Sequence, residues 1–471
     1  MTETVQEIII EWLETIVGLY LGLPVWAMPI FWLALTVVIG ATLSMLFLIV
    51  AAQIQINRTE RIRKRTVDPA ATESDYLWVF MVPALNEAIT IKDSISRLEA
   101  VDVTHKRMLV INDGSDDETG EILESLTATN QSDNTLTVLT RVPPNARQGK
   151  SEALNDAWRY LHKVILGQGK FLGWNPEKVI VTIVDADGRL DAQAGRIARH
   201  FIDPEVGGVQ SLVRIYNRKR FLTWAQNLEF AVFGFVFQMG RMHWGTSNMG
   251  GNGQFNRLAA LDSVAVEDSR GNIGPWREGR LTEDQDIGLR MIEKGWKGSQ
   301  STSVTINQQG LNNLRALYRQ RTRWAQGGWQ MLDMIVPLMR NKHTSFNAKW
   351  DQFWYLLTPV LQAFMGVTVV LTVSFLVFET VDVEWTVLII VVIYALSVAP
   401  GVIGVLFARR SLNPLHIILG FVLAHAYVLY SWMIYPVVFR ALLRHLTGRG
   451  TWAKTARESI TAEEEPDQIA A

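Results

Sequence analysis

Two aspartates stand two apart in VDADG, Asp185 and Asp187, where the apolar run KVIVTIV (Lys178–Val184) ends. In an extended chain alternate residues share a face, so both carboxylates can point into one cleft. A second acidic turn, INDGSDD, closes the run RMLVIN (Arg107–Asn112) and crowds Asn112, Asp113, Asp116 and Asp117 around a glycine. Either cluster alone reads as an ordinary Asp-Gly turn. Two of them at strand ends of one sheet gather like charge, which a cation must balance. Mg²⁺ and Mn²⁺ take oxygen ligands, and Mg²⁺ commonly uses one or two carboxylates plus substrate phosphates.

Three further stretches carry chemistry. In RQGKSEALN (Arg147–Asn155), Lys150 follows a glycine turn that opens a helix, where backbone amides favour anions. The lone G-K-S lacks the glycine spacing of a Walker loop, so ATP is not the expected ligand. NMGGNGQFNR (Asn248–Arg257) is too irregular for a dinucleotide fingerprint. Taken alone it is a flexible turn; beside a cleft, Gly251 and Asn252 let backbone approach a substrate closely. LTEDQDIGLR (Leu281–Arg290) puts Glu283, Asp284 and Asp286 in the first turn of a helix. Capping and the helix dipole account for one or two acids there. A third leaves a carboxylate for general base work, worth ~10²–10⁴-fold in rate.

LYRQRTRWAQGG (Leu317–Gly328) holds three arginines and a tryptophan shortly before the chain turns strongly apolar. Arg315 and Arg319 read as a basic juxtamembrane anchor. Arg321 and Arg323 suit a diphosphate, because guanidinium donates in a planar fork. Trp324 offers the flat apolar platform on which sugar rings stack.

These residues need a scaffold. LWVFMVP (Leu77–Pro83), RMLVIN, LTVLTR (Leu136–Arg141) and KVIVTIV read as strands, with helical patterns at Thr90–Ala100 and Thr119–Leu126 between the first pairs. Continuous apolar strands alternating with helices predict a parallel α/β sheet covered on both faces, with ligands beyond the carboxyl ends of the strands. No fixed repeat is evident.

The rest of the chain belongs to a bilayer. Of 471 residues 48% are hydrophobic and 17 are tryptophan; mean hydropathy is +0.11, between a soluble protein and a membrane bundle. A net charge of −1 offers no field for nucleic acid, and the lack of cysteine excludes disulfides and thiolate chemistry. The N-terminus lacks the basic segment and cleavage site of a signal peptide. Met28–Ala52 has no charge and the length of a span, and the basic RTERIRKR (Arg58–Arg65) that follows marks the cytoplasmic side. Upstream, IIIEWLETIVGLYLGLPVW, with Glu11 and Glu14 at helical spacing, reads as an interfacial amphipathic helix. Phe353–Phe378, Trp385–Ala408 and Pro414–Leu442 are three more apolar segments. The acidic loop FETVDVEW is then expected outside and Arg409 and Arg410 inside. A full third crossing would leave the basic RHLTGRGTWAK (Arg444–Lys454) outside, against the positive-inside tendency.

In their order, Asp113 of NDGSDD, the VDADG pair, TED and Q-R-T-R-W resemble the membrane-embedded family 2 glycosyltransferases, which include cellulose, chitin, hyaluronan and poly-N-acetylglucosamine synthases. The resemblance covers about Asp75 to Gly328 and the flanking membrane layout. It implies a GT-A type, Rossmann-like nucleotide-sugar domain over residues 75–328, inserted between transmembrane helices. Residues 1–66 would hold the amphipathic helix and first span, 329–352 an interfacial helix and linker, 353–442 the later spans, and 443–471 a cytosolic gating-like segment and tail. The implied activity is inverting, processive transfer from a UDP-hexose, with Mg²⁺ or Mn²⁺, into an exported polysaccharide; the alternatives are single transfer to a membrane lipid, or an inactive scaffold. The implied partners are the UDP-sugar, the growing chain and the bilayer at the plasma membrane, with the catalytic domain cytosolic; accessory subunits or a homo-oligomer stay open.

By position, Pro83, Asn86 and Glu87 resemble the loop beside the nucleotide, Asp113 the uracil contact and Lys150 the lysine of G-K-x-x-A-L-N. Asp185 and Asp187 match D-x-D, with Asp187 in direct metal contact. Glu283 and Asp284 match TED, with Asp284 the base. Gln320, Arg321, Arg323 and Trp324 match the motif that closes on acceptor and diphosphate, with Gly251 and Asn252 on the acceptor side. Asn112 stands where the family often has a second acid. RGTWAKTAR (Arg449–Arg457) loosely resembles the cytosolic gating segment, which would put it inside. No PilZ-like extension follows, so direct cyclic-dinucleotide control is not expected.

Overall fold

A computed structural model of the chain describes residues 23–65, 73–129, 135–378, 391, 394, 395, 397–411 and 413–448. The expected interfacial helix upstream of Leu23, nearly all of the FETVDVEW loop and the RGTWAKTAR segment lie outside these residues.

Four strands form where apolar runs meet turn residues: β1 (Leu77–Ala84), β2 (His105–Asn112), β3 (Leu136–Thr140) and β4 (Val179–Ile183). β1 is buried at every position but Pro83, and β4 throughout. Such strands have no polar face because helices cover both sides. The two-residue period divides β1 cleanly. Trp78, Phe80 and Val82 pack with Ile91, Ile95 and Leu98 of helix α1 in the soluble part (Ile91–Glu99). Leu77, Val79 and Met81 pack on the other face with Ala153, Leu154 and Ala157 of the helix Lys150–Tyr160.

The sheet has eight strands, adding β5 (Arg189–Leu190), β6 (Val206–Ile215), β7 (Gln254–Arg257) and β10 (Lys297–Gln308). β8 (Val266–Glu267) and β9 (Ile273–Gly274) form a separate hairpin. The order is β3-β2-β1-β4-β7-β6-β10-β5. Parallel pairing holds for β1 with β2 and β4, for β2 with β3 and for β6 with β10. β7 runs antiparallel between β4 and β6, and β5 antiparallel to β10, so the sheet is mixed rather than wholly parallel. The chain leaves β1 toward β2 and β3, then returns to β4 on the other side. That reversal opens a crevice beyond the ends of β1 and β4.

The remaining principal helices, continuing from α1, are α2 (Thr119–Thr129), α3 (Lys150–Tyr160), α4 (Phe221–Val232), α5 (Glu283–Glu293), α6 (Leu314–Gln330), α7 (Phe346–Val377), α8 (Ala399–Arg409), α9 (Pro414–Ser431) and α10 (Ile434–Leu446). A 38-residue helix, Met28–Arg65, precedes them all. Among the described residues, three helical stretches could by length and apolarity cross a membrane: Met28–Arg61, Phe346–Val377 and Pro414–Leu446. Leu43, Val50, Val370, Val377, Leu415 and Ile418 on them are exposed. Apolar surface of that extent marks contact with lipid or protein rather than water.

The segment expected as a single run, Pro414–Leu442, is two helices that meet at Trp432–Met433. α10 is amphipathic and buries Val437, Val438 and Ala441. It is fastened to α6, where Tyr318 Oη donates to the Pro436 carbonyl (3.2 Å), Trp329 Nε1 to the Val438 carbonyl (3.4 Å) and Arg444 Nε to Gln326 Oε1 (3.1 Å). Arg444, where the basic stretch starts, therefore lies against α6.

Candidate active site

The end of β1 delivers Pro83, Ala84, Leu85 and Glu87 to the wall of a cavity of about 380 Å³. Asn86 is turned away by its left-handed backbone (φ 55°). Its side chain donates to Asp116 Oδ1 (2.5 Å) and accepts from the Asp116 amide (2.9 Å). It ties the loops after β1 and β2 together and is not part of the cavity wall. Asp113, at the end of β2, is 5% exposed and does line the cavity. Its Oδ1 accepts from the Arg147 amide (2.9 Å) and from Arg141 Nη1. Burial pushes its carboxyl up, while Arg147 and Arg141 oppose the shift. Sequence reasoning passed over Arg141, although it closes the β3 run LTVLTR. Its guanidinium also binds Asp156 (2.6 Å) and so joins the Asp113 turn to α3.

Gly149 (φ +125°) turns the chain into α3, whose first residue is Lys150. Lys150 Nζ sits 2.8 Å from Asp185 Oδ1 and 3.1 Å from Glu283 Oε1. Burial works against its charge, but the carboxylates of Asp185, Glu283 and Asp284 outweigh burial and raise its pKa. Asp185 and Asp187 both line the cavity just past β4. The Asn252 side chain accepts from the Asp185 amide (3.0 Å) and donates to Gln308 Oε1 (2.9 Å), which fixes the turn. Asp187, 3% exposed, takes the Gln309 amide on Oδ2 (3.1 Å).

Asp284 lies in the first turn of α5, where its Oδ1 accepts from the Gln285 amide (2.9 Å). Burial, then the neighbouring Glu283 charge, push its carboxyl up to about 7 against the pull of Lys150. Gly251 faces it. With φ +82°, a side chain there would be strained, and a Cβ would lie 2.8 Å from Asp284 Oδ2. The irregular glycine loop thus leaves room for the base.

The opposite wall comes from α6 and α7. Gln320, Arg323 and Trp324 stand at i, i+3 and i+4 on one helix face, and all three line the cavity. Arg321 projects elsewhere. It pairs with Glu229 (2.7 Å) and lies over the Trp324 ring, its guanidinium carbon 4.1 Å from the centroid. The structure therefore does not bring Arg321 to the cavity wall with Arg323. Glu229, Phe230 and Phe233 complete this wall with Tyr355 of α7, whose hydroxyl accepts from Gln285 Nε2 (3.1 Å). None of these four was legible, because each lies in an apolar helical run without a motif around it.

A divalent cation suits the Asp185/Asp187 pair. Both carboxylates border the cavity two residues apart, and Lys150 already balances Asp185 with positive charge. Among the described residues no three His, Asp or Glu groups form a complete cage. An ion there would complete its shell with oxygens of the substrate, in the manner of Mg²⁺ on nucleotide phosphates.

Comparison with known proteins agrees with this arrangement. The pattern of glycosyl transferase family group 2 matches residues 180–441, and that of glycosyl transferase family 2 matches residues 79–264. The chain is 29% identical over 285 residues to a β-monoglucosyldiacylglycerol synthase of Synechocystis sp., covering 60% of this chain and 54% of that protein. It is 25% identical over 256 residues to a poly-β-1,6-N-acetyl-D-glucosamine synthase of Staphylococcus aureus, covering 54% and 55%. The chain spans about half the length of the curated relatives it matches. Among solved structures, the mannosyltransferase PcManGT from Pyrobaculum calidifontis, in complex with GDP-Man and Mn²⁺, aligns with a TM-score of 0.50. That alignment covers 88% of this chain and 99% of PcManGT at 18% identity, a likeness of fold alone. With the first family pattern spanning more than half of its length, the chain belongs to glycosyl transferase family group 2, a family 2 glycosyltransferase with a GT-A-like α/β domain flanked by long apolar helices.

Proposed function

We propose that the chain is an inverting hexosyltransferase that draws on a UDP-hexose and extends a polysaccharide at the cytosolic face of the plasma membrane, which its multiple apolar helices cross. One observation carries this reading. A single cavity has Asp185, Asp187, Lys150 and Asp284 on its strand-end side, with Gln320, Arg323 and Trp324 of α6 and Tyr355 of the apolar helix α7 opposite. Donor and acceptor can then meet with the acceptor on the membrane side.

In this mechanism Asp113 and the Pro83–Glu87 loop bind the nucleoside. Asp284 accepts the proton of the acceptor hydroxyl as its oxygen attacks the anomeric carbon, and the bond to the diphosphate oxygen breaks with inversion. Lys150 and Arg323 stabilise the departing charge. A Mg²⁺ or Mn²⁺ held by Asp187 and Asp185 supplies Lewis-acid neutralisation of the diphosphate when bound. Trp324, Gln320 and the Gly251–Asn252 turn seat the acceptor, and the apolar helices provide a route for the product.

A second reading, transfer of one sugar to a membrane lipid, is favoured by the similarity to a β-monoglucosyldiacylglycerol synthase. The test is a donor screen in nanodiscs with UDP-glucose, UDP-N-acetylglucosamine, UDP-galactose and UDP-glucuronate, with Mg²⁺ or Mn²⁺, and product size followed on a gel. High-molecular-weight β-linked product is expected. Short, lipid-extractable product alone would replace the polymerase reading with the lipid one.

A further inference from the structure

Glu229 stands on α4 in the cavity wall, and no motif surrounds it. Its Oε2 accepts two hydrogen bonds, from Arg321 Nη2 of α6 at 2.7 Å and from Tyr430 Oη of α9 at 2.9 Å. The Glu229 side chain is 35% exposed, against 7% for Arg321. The carboxylate is thus gripped from behind and open in front. Its neighbour Phe230 meets the Trp324 ring edge-on, with centroids 6.2 Å apart at 71°. The Arg321 guanidinium covers one Trp324 face, so the rest of the indole borders the cavity. Two Arg321 donors, Nε and Nη1, are buried without an acceptor among the described residues. What holds that guanidinium is the Glu229 charge and the indole, and it in turn holds both in place.

A carboxylate beside an indole matches a pyranose, whose rim carries hydroxyl donors and whose face is C–H surface. A diacylglycerol has one hydroxyl and no ring, and matches only half of this. We propose that Glu229, set by Arg321 and Tyr430, accepts a hydrogen bond from a hydroxyl of a saccharide acceptor whose ring lies on Trp324. The proposal rests on the hexosyltransferase reading and narrows its acceptor to a sugar-terminated one.

The test compares wild type, Glu229→Gln and Tyr430→Phe in nanodiscs. Cellotetraose, chitotetraose and 1,2-dioleoylglycerol serve as acceptors, and UDP binding with Mn²⁺ is followed by calorimetry. Glu229→Gln, which keeps an acceptor oxygen but loses the charge, is expected to raise the oligosaccharide KM about three- to tenfold, and Tyr430→Phe about threefold. UDP affinity should not move, and dioleoylglycerol should accept sugar from none of the three proteins. An unchanged oligosaccharide KM overturns the proposal, and so does a parallel weakening of oligosaccharide and UDP, the mark of a merely structural residue. Should Glu229→Gln fail to fold, Tyr430→Phe decides by the same criteria. A wild type that uses dioleoylglycerol but neither oligosaccharide sinks the subsite and leaves hexosyl transfer standing. A wild type that transfers to nothing overturns the reading of function as well.

Discussion

At neutral pH an ordinary aspartate is a weak proton acceptor, because its proton is already lost to far lower pH. Asp284, pushed up to about 7 by burial and by Glu283, is matched to a base working near neutrality. Transfer should therefore fall as pH drops through about 7, visible as the acidic limb of a kcat/KM profile with saturating donor. Asp284→Asn should lower turnover by ~10²–10⁴-fold and remove that limb. A carboxyl whose folded pKa exceeds its unfolded one binds more protons folded than unfolded. The stability it contributes is complete below the unfolded pKa and is lost as pH rises through 7. Without metal and donor, Asp284→Asn should then be more stable than wild type at pH 8, by on the order of 1–3 kcal/mol in denaturant unfolding. The acids here were legible because they cluster at strand ends and in a helix's first turn. Arg321 was misplaced for a helical reason: one step from Gln320 turns a side chain to a different face from the one Arg323 and Trp324 share.

Among the elements, the meeting of α6 with the start of α5 is a close constraint on the site. A Cβ on Gly327 would meet the Thr282 side chain, 2.9 Å from its Cβ, and Thr282 is the residue before Glu283 and Asp284. Gly327→Ala must push α6 outward, at a cost of about 1–3 kcal/mol, with a fall in kcat. The next residue is a control, since a Cβ on Gly328 would meet only Pro359 at 3.8 Å, ordinary contact. Gly328→Ala should be neutral or slightly stabilising by thermal unfolding, because alanine suits a helix interior better than glycine. Strands β1 to β4 were legible as apolar runs. β6 and β10 were not: VGGVQSLVRI and KGSQSTSVTINQ bury glycine, serine and glutamine where a strand usually shows branched apolar residues. Those positions are bonded inward, as with Gln210 to the Asn252 carbonyl (2.7 Å) and Ser211 to the Gly253 carbonyl (2.8 Å), so burial is achieved without an apolar signature. β7, four residues long, carries no pattern long enough to read, and with β5 it makes the sheet mixed.

For the whole molecule, hydropathy located the apolar helices but not their junctions. Nothing in the run Pro414–Leu442 announces that it breaks at Trp432–Met433 or that α10 packs on α6. The fastening of α6 to α10 at Pro436, Val438 and Arg444 has a mechanical consequence. The cavity has two jaws: one is the strand-end side with Asp185 and Asp187, and the other, α6, is tied to α10 at the end of the apolar stretch Pro414–Leu446. On the proposed function, a bilayer around those helices would bear on the acceptor side of the cavity more than on the nucleotide seat. Nanodiscs of shorter and longer acyl chains should change the acceptor KM and kcat but not UDP affinity, and equal shifts in all three would count against it. On the proposed function the surrounding membrane would then be a working part of the enzyme, through its hold on the side where the sugar is received.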